Sequence, residues 1–316
     1  MKKLTIILTV LFVTISMGLT AQNLNSAGKA YNKGIELNKE GNTLEAIGSY
    51  QKCADICAKL GEIGEGLKIN AETQICKLYM NMGTDIFKAK DYDSAIGCFT
   101  QSAKYAELIN DASTTAKINN YFAVAYTGKG NTFFKTKKYK DAIENYKQAV
   151  EYNPEYTKAY YGLVLSYSKT DDSGMLEESV KKIFELSNDE QLLTKTKTIA
   201  AKYYLKMSGN AIRTENYNVA SMMATKSIQY NDTETTAFYY LALARNSQEN
   251  WEMAKKSALK GITFDQEDKS NLYFELGRAY EGLGDTEKAC EAYSNVTGGP
   301  NKEGALYQRG QVLHCN

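Results

Sequence analysis

The chain of 316 residues is long enough for one extended array or two ordinary domains, and two prolines beside 24 tyrosines favour helices throughout. Its formal charge is +1, from 38 Lys and Arg against 37 Asp and Glu, which excludes the strong cation excess that non-specific nucleic-acid binding needs. A single histidine, His314, leaves Ser-His-Asp and Cys-His catalytic arrangements with little to work with.

Met1-Lys2-Lys3, an apolar run from Leu4 to about Leu19, and Thr20-Ala21-Gln22 have the basic head, apolar stretch and small residue of a secretory leader. Cleavage is expected after Ala21. The run is slightly short for a membrane span, and no basic cluster follows it. No cysteine stands at the cleavage point to carry a lipid. The expectation is an exported chain, periplasmic or extracellular, with no integral membrane segment once 1–21 is removed. Loss of Lys2 and Lys3 leaves 36 cations against 37 carboxylates.

From Ser26 onward one pattern recurs. A small residue is followed twelve places later by a second: Gly34 with Ala46, Gly83 with Ala95, Gly130 with Ala142, Val164 with Leu176, Ser208 with Ala220, Ala242 with Ala254, Gly277 with Ala289. Small side chains let two helices joined by a short turn approach closely. Four residues after each second anchor stand Tyr50, Phe99, Tyr146, Val180, Ala224, Ala258 and Tyr293, on the same helical face. The turns between the helices read Glu40-Gly41-Asn42, Lys90-Asp91-Tyr92, Lys137-Lys138-Tyr139, Glu215-Asn216-Tyr217, Glu249-Asn250-Trp251 and Gly284-Asp285-Thr286. In them Gly and Asn are expected to supply left-handed backbone, Asp, Asn or Thr to cap the next helix, and the aromatic residue to precede that helix and close the turn.

Spacing between second anchors stretches to 49, 47 and 44 residues at three places, the third holding 185–200, and in the first two 58–77 and 104–122 carry few helix breakers. These are read as longer helices, not linkers. Leu176 in place of alanine predicts a splayed or irregular pair across 157–190. The last segment, 305–315, is one helix long and suits a cap over the final apolar face.

The series Tyr126, Gly130, Tyr139, Ala142, Tyr146, Ala149 and Pro154 resembles the tetratricopeptide repeat. The resemblance extends over about 26–303 and is weakest at 157–190. It implies an all-α solenoid of about seven helix hairpins, at roughly 27–60, 76–109, 123–156, 157–190, 201–234, 235–268 and 270–303. It also implies that the first helix of each pair lines a concave face. Three residues before the first anchors stand Tyr31, Met80, Thr127, Tyr161, Leu205, Tyr239 and Phe274, either as groove contacts or as packing between repeats. Five residues after them stand Lys39, Lys88, Lys135, Lys169 and Arg213, either a basic ladder for an acidic segment or ordinary cations at helix C-termini. Asn131 is the one match to the residues with which some relatives hold a peptide carboxylate.

Six cysteines in an exported chain allow disulfides. Cys290 with Cys315 is the favoured pair, because an antiparallel cap would bring the two ends together. Cys53 or Cys57 with Cys76 is the second candidate, against small buried thiols. No metal set forms, since Cys53-x3-Cys57 lacks a second tight pair. No phosphate-binding loop or calcium loop is present, and Glu177-Glu178 and Glu267-Asp268 read as solvated charges.

The expectation is therefore a non-catalytic protein-interaction scaffold of the cell envelope, without cofactors, that holds a protein or peptide segment in a groove. Two other readings stay open. One is an assembly factor that self-associates as a homo-oligomer. The other is a module for glycans or small ligands, suggested by Tyr160-Tyr161 and Tyr239-Tyr240.

Overall fold

The computed structural model describes residues 2–264 and 268–315, with side chains from Thr20 onward. Met1, at the head of the expected leader, and Glu267, in the sixth repeat, lie outside the described residues. So do the side chains of the rest of the leader as far as Leu19.

Among the described residues the regular structure is helical. Seven consecutive pairs run α1 (Lys2–Lys39) with α2 (Thr43–Ala58), α3 (Glu62–Lys88) with α4 (Tyr92–Leu108), α5 (Ala112–Lys135) with α6 (Tyr139–Tyr152), α7 (Thr157–Thr170) with α8 (Ser173–Leu186), α9 (Glu190–Arg213) with α10 (Tyr217–Tyr230), α11 (Thr235–Ser247) with α12 (Trp251–Ile262), and α13 (Ser270–Gly282) with α14 (Thr286–Ser294). A short α15 (Lys302–Tyr307) then passes into a π-helical turn, Gln308–Val312. This is the all-α solenoid architecture expected. The three stretched intervals are long helices, as α3, α5 and α9 of 27, 24 and 24 residues. The region 157–190 forms two 14-residue helices, with Val164 and Leu176 both fully buried. The chain divides into two compact units, 1–162 and 163–316, with the boundary inside α7.

In the first unit the anchors work by direct contact. A methyl group on Gly34, Gly83 or Gly130 would stand 2.8 Å from Tyr50, 2.5 Å from Phe99 or 2.7 Å from Tyr146. Each ring thus lies flat against helix backbone, and all three are nearly inaccessible. Tyr146 is held from both sides, since Gly162 of α7 meets its other face. Successive pairs are then joined by aromatic stacking. Phe99 of α4 stacks on Tyr121 of α5 at 5.3 Å and meets Phe122 edge-on at 6.0 Å, and within the α5–α6 pair Phe122 stacks on Tyr152 at 4.3 Å.

The second unit uses smaller residues at the same positions. Ser208 and Ala224 are both fully buried, and Ala242 and Ala258 share one cluster with Leu276 and Ala292. Only the last pair returns to the ring-on-glycine form, with Gly277 beneath Tyr293. The two positions are therefore matched in kind, with a ring opposite glycine in one form and alanine opposite serine or alanine in a smaller one.

Every hairpin turn places one residue in the left-handed region. Gly41 and Gly284 do so as expected, but the other turns use Lys90, Lys137, Asp171, Glu215 and Glu249, with φ between 55° and 65°. In these five turns the expected glycine or asparagine is replaced at the left-handed position by Lys, Asp or Glu, and in several turns the next residue serves as N-cap. Asp91, Asp172, Asn216 and Asp285 each accept a backbone N–H three residues on. The aromatic residues at 92, 139, 217 and 251 are the first residues of their helices and do not precede them. Two of them close the turn against the preceding helix, Tyr92 on Phe87 at 5.5 Å and Tyr139 on Phe134 at 5.4 Å.

Cys290 and Cys315 are disulfide-bonded, with Cα atoms 5.7 Å apart. The cap starts at Lys302, earlier than expected, and buries Ala305 against Tyr293 and Val296. Cys53, Cys57 and Cys76, considered above for a second bond, are free buried thiols. Burial pushes Cys53 up to about 12, and Cys76 instead hydrogen-bonds Ser102 of α4. Their place in the core makes them small apolar residues.

Glu177 is not a solvated charge. It accepts hydrogen bonds from Tyr204, Tyr230 and Lys226, drawn from α9 and α10. Partial burial raises its pKa, but these donors outweigh that and hold the carboxyl below its ordinary value. Among the described residues no helix is long and apolar enough to cross a membrane.

Candidate functional site

The residues three before each anchor divide by surroundings. Met80 is in the core of the first unit at 9% exposure, and Tyr31 sets its edge against Tyr50 at 5.2 Å. Tyr161 is half-buried, and burial raises its phenol. Met80 and Tyr31 pack between helices, one of the two roles their register allowed. Asn131 is likewise engaged locally, because its Oδ1 accepts the Tyr146 hydroxyl at 2.7 Å.

The expected basic series stands at the last turns of α1, α3, α5, α7 and α9, and all five side chains are exposed. There they meet the negative end of the helix. Lys88 is paired with Asp85 of its own helix at 2.8 Å. Arg213 differs, because it lines a groove.

That groove lies between α9 and α11 and holds about 550 Å³. Lys202, Lys206 and Arg213 supply cations, and Leu205, Ile212 and Tyr240 supply apolar walls. All those on α9 fall on one stripe at helical spacing. Gly209 forms the floor, where a methyl group would sit 3.2 Å from the Tyr240 ring. Lys206 is paired at 3.1 Å with Asp171, and both groups are more than half exposed, so the pair exchanges readily with water or another carboxylate. Arg213 hydrogen-bonds Asn210 one turn earlier, which holds the guanidinium against the helix.

Tyr240 also borders a smaller hollow of about 290 Å³ between α11 and α13, with Tyr239, Thr236 and Asn271. Tyr239 is half-buried, its ring 5.5 Å from Tyr240, and burial raises its phenol. A third hollow, about 390 Å³, has Trp251, Phe274, Arg278, Glu281 and Gln308 around it. Behind it, buried Glu275 accepts from Asn246 at 2.7 Å and from Arg278 at 3.0 Å. Burial raises the Glu275 pKa against the pull of those partners. A larger hollow in the first unit, about 740 Å³ between α4 and α5, lacks aromatic walls, and its Asp111 is occupied as the cap of α5.

Of the residues singled out by register, Leu205 and Arg213 border the α9–α11 groove, Tyr239 the α11–α13 hollow and Phe274 the third hollow. Lys202, Lys206 and Tyr240 were not among them. A cation pair at i, i+4 beside Leu205 and Gly209 on one stripe is the signal that marks them.

A TPR repeat model matches residues 130–171, and a tetratricopeptide repeat model matches 270–297. The chain is 30% identical over 140 residues to Hsp70-Hsp90 organizing protein 1 of Arabidopsis thaliana, covering 39% of this chain and 24% of that protein. It is 27% identical over 137 residues to the mitochondrial import receptor subunit TOM70 of Homo sapiens, covering 43% and 21%. The chain spans about a third or less of the curated relatives it matches. Among solved structures it is similar to YrrB, a TPR protein with an unusual peptide-binding site, at TM-score 0.39 and 16% identity over 63% of this chain and 98% of that one. Tetratricopeptide repeats are thus matched at 130–171 and at 270–297, and the chain carries the same anchor register before and between them.

Proposed function

We propose that this chain is an exported, non-catalytic scaffold that holds an acidic segment of another protein in the groove between α9 and α11. The observation that carries this reading is the convergence of Lys202, Lys206 and Arg213 on one apolar-walled groove. From Lys202 to Arg213 the stripe rises roughly 16 Å, a length matched by about five extended residues. Cations at its edges attract carboxylates, while Leu205 and Tyr240 offer contact area for an apolar side chain between them. Support also comes from the relatives' names, which describe an organizing protein for Hsp70 and Hsp90 and an import receptor subunit. Export rests on the leader read at 1–21.

Affinity capture from cells with the tagged full chain tests the reading, comparing wild type with the double variant Leu205→Asp, Tyr240→Ala. The expected result is a defined protein recovered by wild type, lost by the variant, and released by salt, with unchanged circular dichroism. Equal recovery by both chains would contradict the groove. Mass spectrometry of the purified chain should show Gln22 as the new N-terminus, and an intact Met1 would contradict export.

A further inference from the structure

The hollow bounded by Trp251, Phe274, Arg278, Glu281 and Gln308 is separate from the protein-binding groove and needs its own explanation. Its parts come from three elements: the start of α12, one stripe of α13, and the π-helical turn of the cap. Trp251 is the sole tryptophan of the chain. Its ring lies against the backbone at Gly282, where a methyl group would fall within 2.5 Å of two ring atoms. Phe274 is fixed by Tyr293, centroids 5.7 Å apart, and by the close approach of Gly304. The two aromatic groups are therefore held in place before any ligand arrives.

The polar groups around them are balanced in charge. Arg278 carries a positive group, already steadied by Glu275, and Glu281 a negative one, with one oxygen accepting the Tyr293 hydroxyl at 2.8 Å. Gln308 adds a neutral amide whose Oε1 is buried without a hydrogen-bond partner. A buried acceptor left unpaired is costly, so a donor from a ligand that reached it would be well received there. A cationic ligand would meet Arg278, and an anionic one would meet Glu281. Hydroxyl groups, which both donate and accept, suit all three side chains, and the apolar faces of a sugar ring suit flat aromatic walls.

We infer that this hollow is a binding site for a neutral sugar unit, such as a hexose at the end of a glycan. Gln308 reaches it on the cap that the Cys290–Cys315 disulfide ties to α14, so the site is complete only while that bond is closed. This site does not depend on the protein-binding groove, and either can fail without the other.

Titration of the oxidised full chain with glucose, galactose, mannose and N-acetylglucosamine, read by Trp251 fluorescence and by calorimetry, tests the inference. Saturable binding of at least one neutral sugar is expected, with glucosamine and glucuronic acid weaker. Phe274→Ala should abolish the signal, and the exposed Lys181→Ala on α8 should leave it unchanged. Gln308→Glu lies on the partly exposed cap and makes the hollow net negative. It should shift preference toward glucosamine by about tenfold, one charge contact's worth. Opening the disulfide with dithiothreitol should weaken the neutral sugar severalfold. A flat response to every neutral sugar, tighter binding of either charged sugar by wild type, or no shift in Gln308→Glu would overturn it.

Discussion

Replacing Gly130 by alanine tests the close approach that organises the first unit. A methyl group there would lie 2.7, 2.8 and 3.1 Å from three atoms of Tyr146, where carbon atoms prefer about 3.5–4.0 Å. The ring cannot retreat, because a methyl on Gly162 would already lie 2.5 Å from its other face. Overpacking costs about 1–3 kcal/mol, and a boxed ring belongs at the upper end. Alanine recovers about 1 kcal/mol of helix propensity, leaving a net loss of about 2 kcal/mol. Gly97 is the control. It lies inside α4, exposed, with nothing within 4 Å of an added methyl, so Gly97→Ala should stabilise by about 1 kcal/mol. Urea unfolding followed by circular dichroism measures both, and the two variants should move in opposite directions. In a Tyr146→Leu background the cost of Gly130→Ala should shrink, as expected of directly coupled positions. Two shifts of the same sign would refute the steric reasoning.

Other perturbations address the turns, the buried charges and the cysteines. Lys137 has φ 61°, so Lys137→Gly should raise stability by roughly 0.5–1 kcal/mol in the same assay. Glu177→Gln should cost about 1–2 kcal/mol at neutral pH, after allowance for the partial exposure of its side chain. Because the folded state holds Glu177 below its ordinary pKa, its contribution is present above the unfolded value and fades as pH falls through the folded one. The gap between wild type and Glu177→Gln should therefore close on acidification. Cys315→Ser opens a closure of 25 residues, worth about 3 kcal/mol to the cap, and should speed amide exchange across 302–315 while leaving α3–α6 unchanged. In mildly alkaline iodoacetamide, Cys53, Cys57 and Cys76 should resist alkylation until urea unfolds the chain, as mass mapping would show.

The sequence made the hairpins readable because their determinants are local and steric. Gly130 and Ala142 can be recognised in one dimension, since the contact they permit recurs at fixed spacing. Long α3 and α5 were equally readable from an absence of breakers, whereas the stretch that begins α9 was seen only as an insertion. Side-chain roles on the first helices were less so. Tyr31, Met80 and Phe274 share a register, yet one sets its edge against a ring, one is in the core and one borders a hollow. What separates them is the size of residues on neighbouring helices, which no spacing rule contains. Glu177 looked like one of two surface carboxylates until Tyr204, Lys226 and Tyr230 were brought to it from two other helices. Non-glycine residues in the left-handed turns were missed for a different reason. Lys, Asp and Glu take up the left-handed backbone there at some conformational cost, and residue type alone does not signal it.

Site-specific photo-crosslinking in living cells tests the central claim most directly. A photoreactive residue in place of Tyr240, on the groove wall, is compared with one in place of Met222, which is 50% exposed on α10. The account predicts a discrete protein adduct from position 240, diminished by Lys202→Glu and Arg213→Glu, and none from position 222. Adducts from 222 alone, or adducts from 240 indifferent to both charge reversals, would contradict it.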